Sequence, residues 1–229
     1  MGLDESWRKT ARNERELRRE VEALGLLGPA SVHLLALEGR DLILERITPG
    51  TALPVEPDEV ATTMIAQALL SLWVPAPPQC GLPSIAEECQ PLYEEKATAL
   101  LPTGLVAEAR DRLEDLLATE LERAVLHGDL HHGNLLNSEV RGWVAIDPHG
   151  LLGERGYDVG PLLLNPWNHN PAMLVGPRLD RLSDHLSLPR DRLASWGLVR
   201  AVLAAVWTAQ DHGRADPRPL RVAYALAGQ

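Results

Sequence analysis

The chain contains no phenylalanine and only three tyrosines and six tryptophans among 229 residues. Leucine, valine and alanine must therefore fill most of the core. With 45% hydrophobic residues, the composition is that of a globular rather than a disordered chain. The length allows one large domain or two small lobes sharing a cleft. Lysine occurs only at Lys9 and Lys96. The two cysteines, Cys80 and Cys89, form neither a CxxC pair nor a disulfide framework, so reduced thiols are expected. No apolar run approaches membrane-spanning length, and the opening "MGLDESWRKTARNERE" lacks the apolar stretch of a signal peptide. A cytoplasmic location is the resulting expectation. Positive charge is also short: 22 Lys and Arg against 32 Asp and Glu leave a net charge of −10. That balance argues against a nucleic-acid partner and against anionic membranes. It suits a cationic ligand, while acidity is also an ordinary solubility device.

What is present reads as a small β-containing front piece, a linker and a larger helical piece. Residues 13–27, "NERELRREVEALGLL", place Leu17, Val21 and Leu24 on one helical face, with Asn13 and Glu16 spaced as a capping box. "SVHLLAL" and "DLILERI" flank "EGR", a hairpin signature with Gly39 in the turn. Three prolines and a glycine in "TPGTALPVEP" predict a linker. Helical patterns follow in "DEVATTMIAQALLSLW", in "SIAEECQPLYEEKATALL" with Pro91 interrupting it, in "VAEARDRLEDLLATELERA" and in "PRDRLASWGLVRAVLAAVWTAQ". The eight residues before Lys9, "MGLDESWR", carry one glycine and no β pattern, so no strand pair is expected there.

The densest polar chemistry lies in "AVLHGDLHHGNLLN", Ala124–Asn137. Apolar residues at both ends can anchor this loop in the core. Asn134 follows Asp129 by five residues, and Asp147 closes "GWVAID" thirteen residues after Asn134. A strand, a turn near Glu139–Gly142 and a returning strand would bring Asp147 back beside Asn134. An acid and an amide converging there make a hard-oxygen site for Mg²⁺ and leave Asp129 free to act as a base.

Three stretches together resemble the aminoglycoside phosphotransferases, a branch of the protein-kinase-like fold: "HGDxHxGN" at His127–Asn134, the strand end Val144–Asp147, and "GYDVGPLLLNP" at Gly156–Pro166. The last is most similar to the streptomycin 6-kinase and hydroxyurea phosphotransferase subgroup, as are "LILERITPGTAL" and "SLWVPAPP". The resemblance implies an α+β, two-lobe fold, with residues 1–47 as an abbreviated N-terminal lobe and 48–229 as a mainly helical C-terminal lobe. It implies ATP and Mg²⁺ as cofactors and a small-molecule hydroxyl, possessed by an aminoglycoside-like and cationic compound, as acceptor. Carried over residue by residue, Asp129 is the base, His127 supports the loop, and Asn134 and Asp147 are Mg²⁺ ligands. Asp158 braces the catalytic loop through backbone bonds, and the hinge at Glu45, Arg46 and Ile47 meets the adenine through main-chain groups. A kinase-like front lobe also pairs a helix glutamate with a phosphate-binding lysine. Glu20, beside the apolar stripe, and Lys9, with Lys96 lying far outside this lobe, are the candidates.

Competing readings attach to several residues. "HxDxHH" superficially resembles metallohydrolase loops, whose ligand order HxHxDH differs, and His131 or His132 is expected to face solvent. Glu154, Asp180, Asp184 and Asp191 could line an acidic aminocyclitol pocket, but solvated helix faces are the expectation. His185 and His212 have no partner that the sequence identifies. Trp167, Trp196 and Trp207 are expected in core or cleft packing. A kinase-like chain that binds without catalysing is the alternative function, and a metallohydrolase is a third.

Overall fold

The computed structural model describes residues 6–166 and 170–228; Trp167 lies outside them. In chain order, strand β1 (Ser6–Thr10) and helix α1 (Glu14–Leu26) precede β2 (Leu34–Glu38), β3 (Asp41–Glu45) and β4 (Pro49–Ala52). Helix α2 (Asp58–Leu72) and the two-residue β5 (Val74–Pro75) lead into the short helices α3 (Ile85–Glu88) and α4 (Glu95–Thr98). Next come α5 (Thr103–Ala118), β6 (Arg123–Leu126), the hairpin β7 (Leu135–Ser138) and β8 (Gly142–Ala145), and β9 (Leu151–Glu154). Four helices end the chain: α6 (Gly160–Leu164), α7 (Val175–Leu186), α8 (Arg190–His212) and α9 (Pro217–Ala227). No helix among the described residues is long and apolar enough to cross a membrane.

The front sheet has the order β1-β3-β2, all antiparallel. Its inner face contributes Leu42 and Leu44, which meet Leu17 of α1 in a small core with Ala11, Val32 and Val144. Helix α1 starts where expected: the Asn13 side chain accepts the backbone N–H of Glu16 at 2.9 Å, satisfying a donor that the first turn leaves open. The Asn13-Glu16 capping reading thus holds on its Asn13 side. Two strands form here that the local sequence does not announce, for one reason. Ser6–Thr10 carries no β pattern, and Pro49–Ala52 reads as linker, yet both are strands. Each is an edge strand whose ladder is supplied by a distant partner, β3 and β7 respectively. Local composition does not encode such a partner, and Pro49 is tolerated because it opens an edge strand.

The rear piece is built around α8, fourteen of whose 23 residues are buried. α5, α6, α7 and α9 pack on it. Without phenylalanine, Trp196 and Tyr157 provide the large volumes, edge to face at 5.7 Å and 84°. The Trp196 indole donates to Glu154 at 2.9 Å. Glu154 is therefore buried, contrary to the solvated face expected, and Arg192 neutralises it with two bonds of 2.6 and 2.5 Å. The segment 84–101 forms two four-residue helices with a 3₁₀ turn between them, and the helix expected over 106–124 ends at Ala118, giving way to β6.

Candidate active site

The hairpin β7–β8 does what its turn residues predict. Leu135 pairs with Ala145, and the Ile146 N–H donates to the Asn134 carbonyl at 3.0 Å, so the residue before β7 and the residue after β8 lie side by side. Asp147 follows immediately with φ of +60°, a left-handed backbone that non-glycine residues adopt rarely and mostly where surrounding structure enforces it. The preceding loop is held from beneath by Asp158, which is fully buried. Its carboxylate accepts the N–H groups of His127 at 3.0 Å and Gly128 at 2.6 Å, and the Trp73 indole N–H at 3.0 Å. Burial pushes the Asp158 carboxyl above its usual range against these donors.

His127 is buried as well, and burial lowers its imidazole pKa to about 4. The neutral ring has one donor and one acceptor nitrogen, and both are used. Nδ1 accepts the Asp129 N–H at 3.2 Å, and Nε2 lies 3.0 Å from the Ile146 carbonyl. A single ring thus ties the Asp129 loop to the strand that presents Asp147. The Asn134 side chain donates through Nδ2 to the Asp129 carbonyl at 2.9 Å and approaches Asp129 Oδ2 at 3.4 Å. That orientation leaves the amide oxygen of Asn134 without a protein donor among the described residues.

Lys9 projects from β1 into this cluster. Its ammonium is bonded to both Glu20 oxygens, at 2.8 and 2.7 Å, and to Asp147. Burial pulls the Lys9 pKa down, but the Asp147 and Glu20 contacts outweigh it and the net direction is up. For Asp147 burial acts upward, but the Lys9 hydrogen bond and charge, together with the neighbouring histidines, outweigh it, and its carboxyl titrates below the usual range. Helix α1 is locked against the segment after Asp147. Arg19 donates to the carbonyls of His149 and Gly150 at 3.2 and 3.3 Å and to Glu88 at 3.0 Å. Gly150, with φ of +68°, is required there, because a Cβ would come within 2.8 Å of the Ala23 methyl.

The hinge region is partly committed to protein contacts. The Glu45 N–H donates to the His33 carbonyl at 2.9 Å, and its side chain takes Arg141 and, at 2.8 Å, His33. Ile47 packs against the front core. Of the two loop histidines, His131 is half-buried and caps its own turn through Gly133 N–H at 3.0 Å, while His132 is buried. His132 therefore does not face solvent as expected; the 3₁₀ turn His132–Asn134 rotates it inward. No group of three or more His, Cys, Asp or Glu side chains among the described residues is placed to hold a metal ion, which removes the geometric basis of the metallohydrolase reading. Asp180 is exposed and paired with Arg190 at 2.5 Å, and His185 lies 3.3 Å from the Thr63 hydroxyl.

Residues that sequence reasoning passed over complete the site. Trp73 and Arg19 gave no local signal. Trp7 is exposed and shares a strand face with Lys9, two residues on. Arg200 did leave a mark, a lone cation in the apolar run "LVRAVLAAV". It lies 3.7 Å from Asp129. Beside Asp147 a cleft of about 760 Å³ opens between α1, the α3 region and the end of α8.

Set against known proteins, the chain is 31% identical over 215 residues to the streptomycin 6-kinase of Streptomyces glaucescens, an alignment covering 88% of this chain and 70% of that protein. It is 35% identical over 216 residues to the hydroxyurea phosphotransferase of Kitasatospora aureofaciens, covering 88% of this chain and 62% of the relative. The chain thus spans between three-fifths and three-quarters of these relatives' lengths. Its fold matches an aminoglycoside phosphotransferase crystallised with ADP and hygromycin B, with a TM-score of 0.61 at 14% identity over 97% of this chain and 85% of that one. The fold is accordingly α+β, of the two-lobe, protein-kinase-like kind. With residues 6–212 matching its family description, the chain belongs to the aminoglycoside/hydroxyurea antibiotic resistance kinases.

Proposed function

We propose that this chain transfers the γ-phosphoryl group of ATP to a hydroxyl of a small cationic molecule of the aminoglycoside class, with Mg²⁺ as cofactor. The observation that carries the reading is the convergence of Asp129, Asn134, Asp147 and Lys9 from three separate segments on one site. The donor set fits the metal: the amide oxygen of Asn134 and the half-exposed carboxylate of Asp147 are hard oxygen ligands, and two protein ligands are what Mg²⁺ takes when phosphates and water complete its shell. When bound, Mg²⁺ would neutralise charge on the nucleotide phosphates. Lys9, held by Glu20, places its ammonium at the Asp147 end of the cleft, where it would meet those phosphates. Arg46 and Ile47 would meet the adenine through main-chain groups, whereas the Glu45 N–H is already spent on His33. Trp7 offers an exposed indole face on the same side of the sheet.

Asp129 would accept the proton of the acceptor hydroxyl, its loop held by His127 and Asp158. Little covalent work is asked of the protein, so orientation and electrostatics carry the rate. The cleft beside Asp147 is lined by seven carboxylates and three guanidinium groups, a balance that favours a cationic acceptor. This reading places the protein in the cytoplasm, where ATP is available.

Incubation with Mg·ATP and streptomycin should give a product heavier by one phosphate, detected by mass spectrometry. Asp129→Asn should abolish that product while leaving the melting temperature within a few degrees of the parent. Full turnover in that variant would remove Asp129 as the base. The alternative is a kinase-like chain that binds without catalysing. Saturable Mg·ATP binding with no product from streptomycin or hydroxyurea would select it.

A further inference from the structure

In the rear piece Arg178 and Arg200 are buried and Arg192 is partly buried, and the first and last of these are saturated with acceptors. Arg178 is 1% exposed and donates to both Asp58 oxygens and to the carbonyls of Leu162 and Asn165. Arg192 donates to both Glu154 oxygens, to the carbonyls of Leu116 and Thr119, and to the Thr119 hydroxyl. These two clamp helices together, and their bonds account for their burial.

Arg200 differs. It is 5% exposed, its Nε is buried with no partner, and its guanidinium makes no hydrogen bond among the described residues. Its one ion-pair contact among them is from Nη2 to Asp129 Oδ1, at 3.7 Å. An arginine whose buried Nε finds no acceptor is destabilising, so packing alone does not explain its presence in the middle of α8. Two neighbours nevertheless hold it in place. The Trp207 ring lies 4.6 Å from the guanidinium carbon, a cation–π contact. Gly160 leaves room for the side-chain stem, since a Cβ there would come within 2.5 Å of Arg200 Cγ. The charge is thus fixed and aimed at one oxygen of Asp129, while Asn134 approaches the other at 3.4 Å.

We infer that Arg200 is a positioning residue for Asp129, fixing the plane of its carboxylate from the Oδ1 side as Asn134 does from the Oδ2 side. The inference rests on the phosphotransfer reading, in which Asp129 must present an oxygen to the acceptor hydroxyl. Arg200 itself touches neither acceptor nor nucleotide in this role. Lysine keeps the charge and loses the planar fork, whereas methionine keeps the length and loses both.

Streptomycin phosphorylation is measured for Arg200→Met, Arg200→Lys and Gly160→Ala, with melting temperatures alongside. Arg200→Met should lower kcat by about 100-fold, the scale of a misplaced catalytic group, with the KM for ATP within about twofold of the parent. Arg200→Lys should recover about tenfold of that loss. Gly160→Ala, which displaces the side chain without removing its charge, should lower kcat in the same direction by less. An unchanged kcat in a folded Arg200→Met, or a lysine variant as impaired as methionine, would overturn the inference. If Arg200→Met does not fold, Gly160→Ala with an unchanged kcat does so instead. A cycle of melting temperatures over Asp129→Asn, Arg200→Met and the double variant reads the contact without turnover. The shifts should be non-additive, and strict additivity would overturn the inference even if the parent chain phosphorylates nothing. Failure of the parent to phosphorylate any acceptor, with non-additive shifts, would instead count against the proposed reaction alone.

Discussion

The front and rear pieces are held together by different physics. Around α8 the rear is apolar and deep, with Trp196, Leu198, Val199, Val202 and Leu203 fully buried. The front has a small core of six buried residues, and Trp7, Leu35 and Leu37 are exposed on its strands. The front is fixed against the rear by a small apolar contact of Ala23 with Leu82 and Val125 and by directional polar ones: Lys9 on Glu20 and Asp147, Arg19 on the His149 and Gly150 carbonyls, and Arg141 on Glu45 and the carbonyls of Pro29 and Ser31. The difference teaches where stability and activity reside. Apolar burial is non-directional and stabilises the scaffold, whereas directional polar contacts set the relative placement of a few reacting groups. Damage to the rear should appear as unfolding, and damage to the front as lost turnover.

The sharpest way to break this contrast is to attack the rear core. Trp196→Ala removes a fully buried ring and leaves Glu154 without one of its donors. It should cost about 3–5 kcal/mol of stability, read from the urea midpoint. A loss below 1 kcal/mol would mean that α8 is not the pillar it looks to be. Next in size, Lys9→Met should lower kcat/KM by about 10²–10³-fold, the usual scale for removing a preorganised electrostatic partner. The urea midpoint should move less than in Trp196→Ala. Glu20, then buried without its cation, should take up a proton rather than unfold α1, which proton-uptake measurements at neutral pH would register.

The smallest expected effect concerns His127, which ties the Asp129 loop to Ile146 beside Asp147. Its folded pKa of about 4 lies below the unfolded value near 6.5, so below that pH the unfolded chain binds the extra proton. The stability it contributes is complete above pH 6.5 and is lost as pH falls toward 4, up to roughly 3 kcal/mol in all, of which the window from 6.5 to 5.5 exposes about 1 kcal/mol. His131 is lowered in the same direction, chiefly by burial. The difference between the parent and His127→Asn in urea midpoint against pH therefore isolates the His127 share. Identical pH slopes would show that the imidazole is not held neutral.

The legible parts of the fold were the local ones. Helix α1 could be read from Leu17, Val21, Leu24 and Asn13, and β2–β3 and β7–β8 from their turns, because each needs only neighbours along the chain. The same held for the loop from His127 to Asn134, whose spacing to Asp147 a short hairpin can close. Edge strands were not legible. Ser6–Thr10 and Pro49–Ala52 have no strand composition and acquire their structure from β3 and β7. Burial of single polar residues was equally hidden: Glu154 and His132 look like surface residues until Arg192 and the turn at His132 are in place.

By itself, then, the sequence determined which polar residues gather in the candidate site and which local elements hold them, since periodicity, turn residues and loop spacing are properties of neighbouring positions. The tertiary structure decided that the candidates Lys9 and Glu20 meet and that Lys9 also reaches Asp147, that Trp73 joins Asp158 beneath the loop, and that Arg200 stands behind Asp129. Those contacts join residues 11 to 138 positions apart. At such separations no local rule selects a partner; only the packing of α1 and α8 around the loop brings the charges within reach.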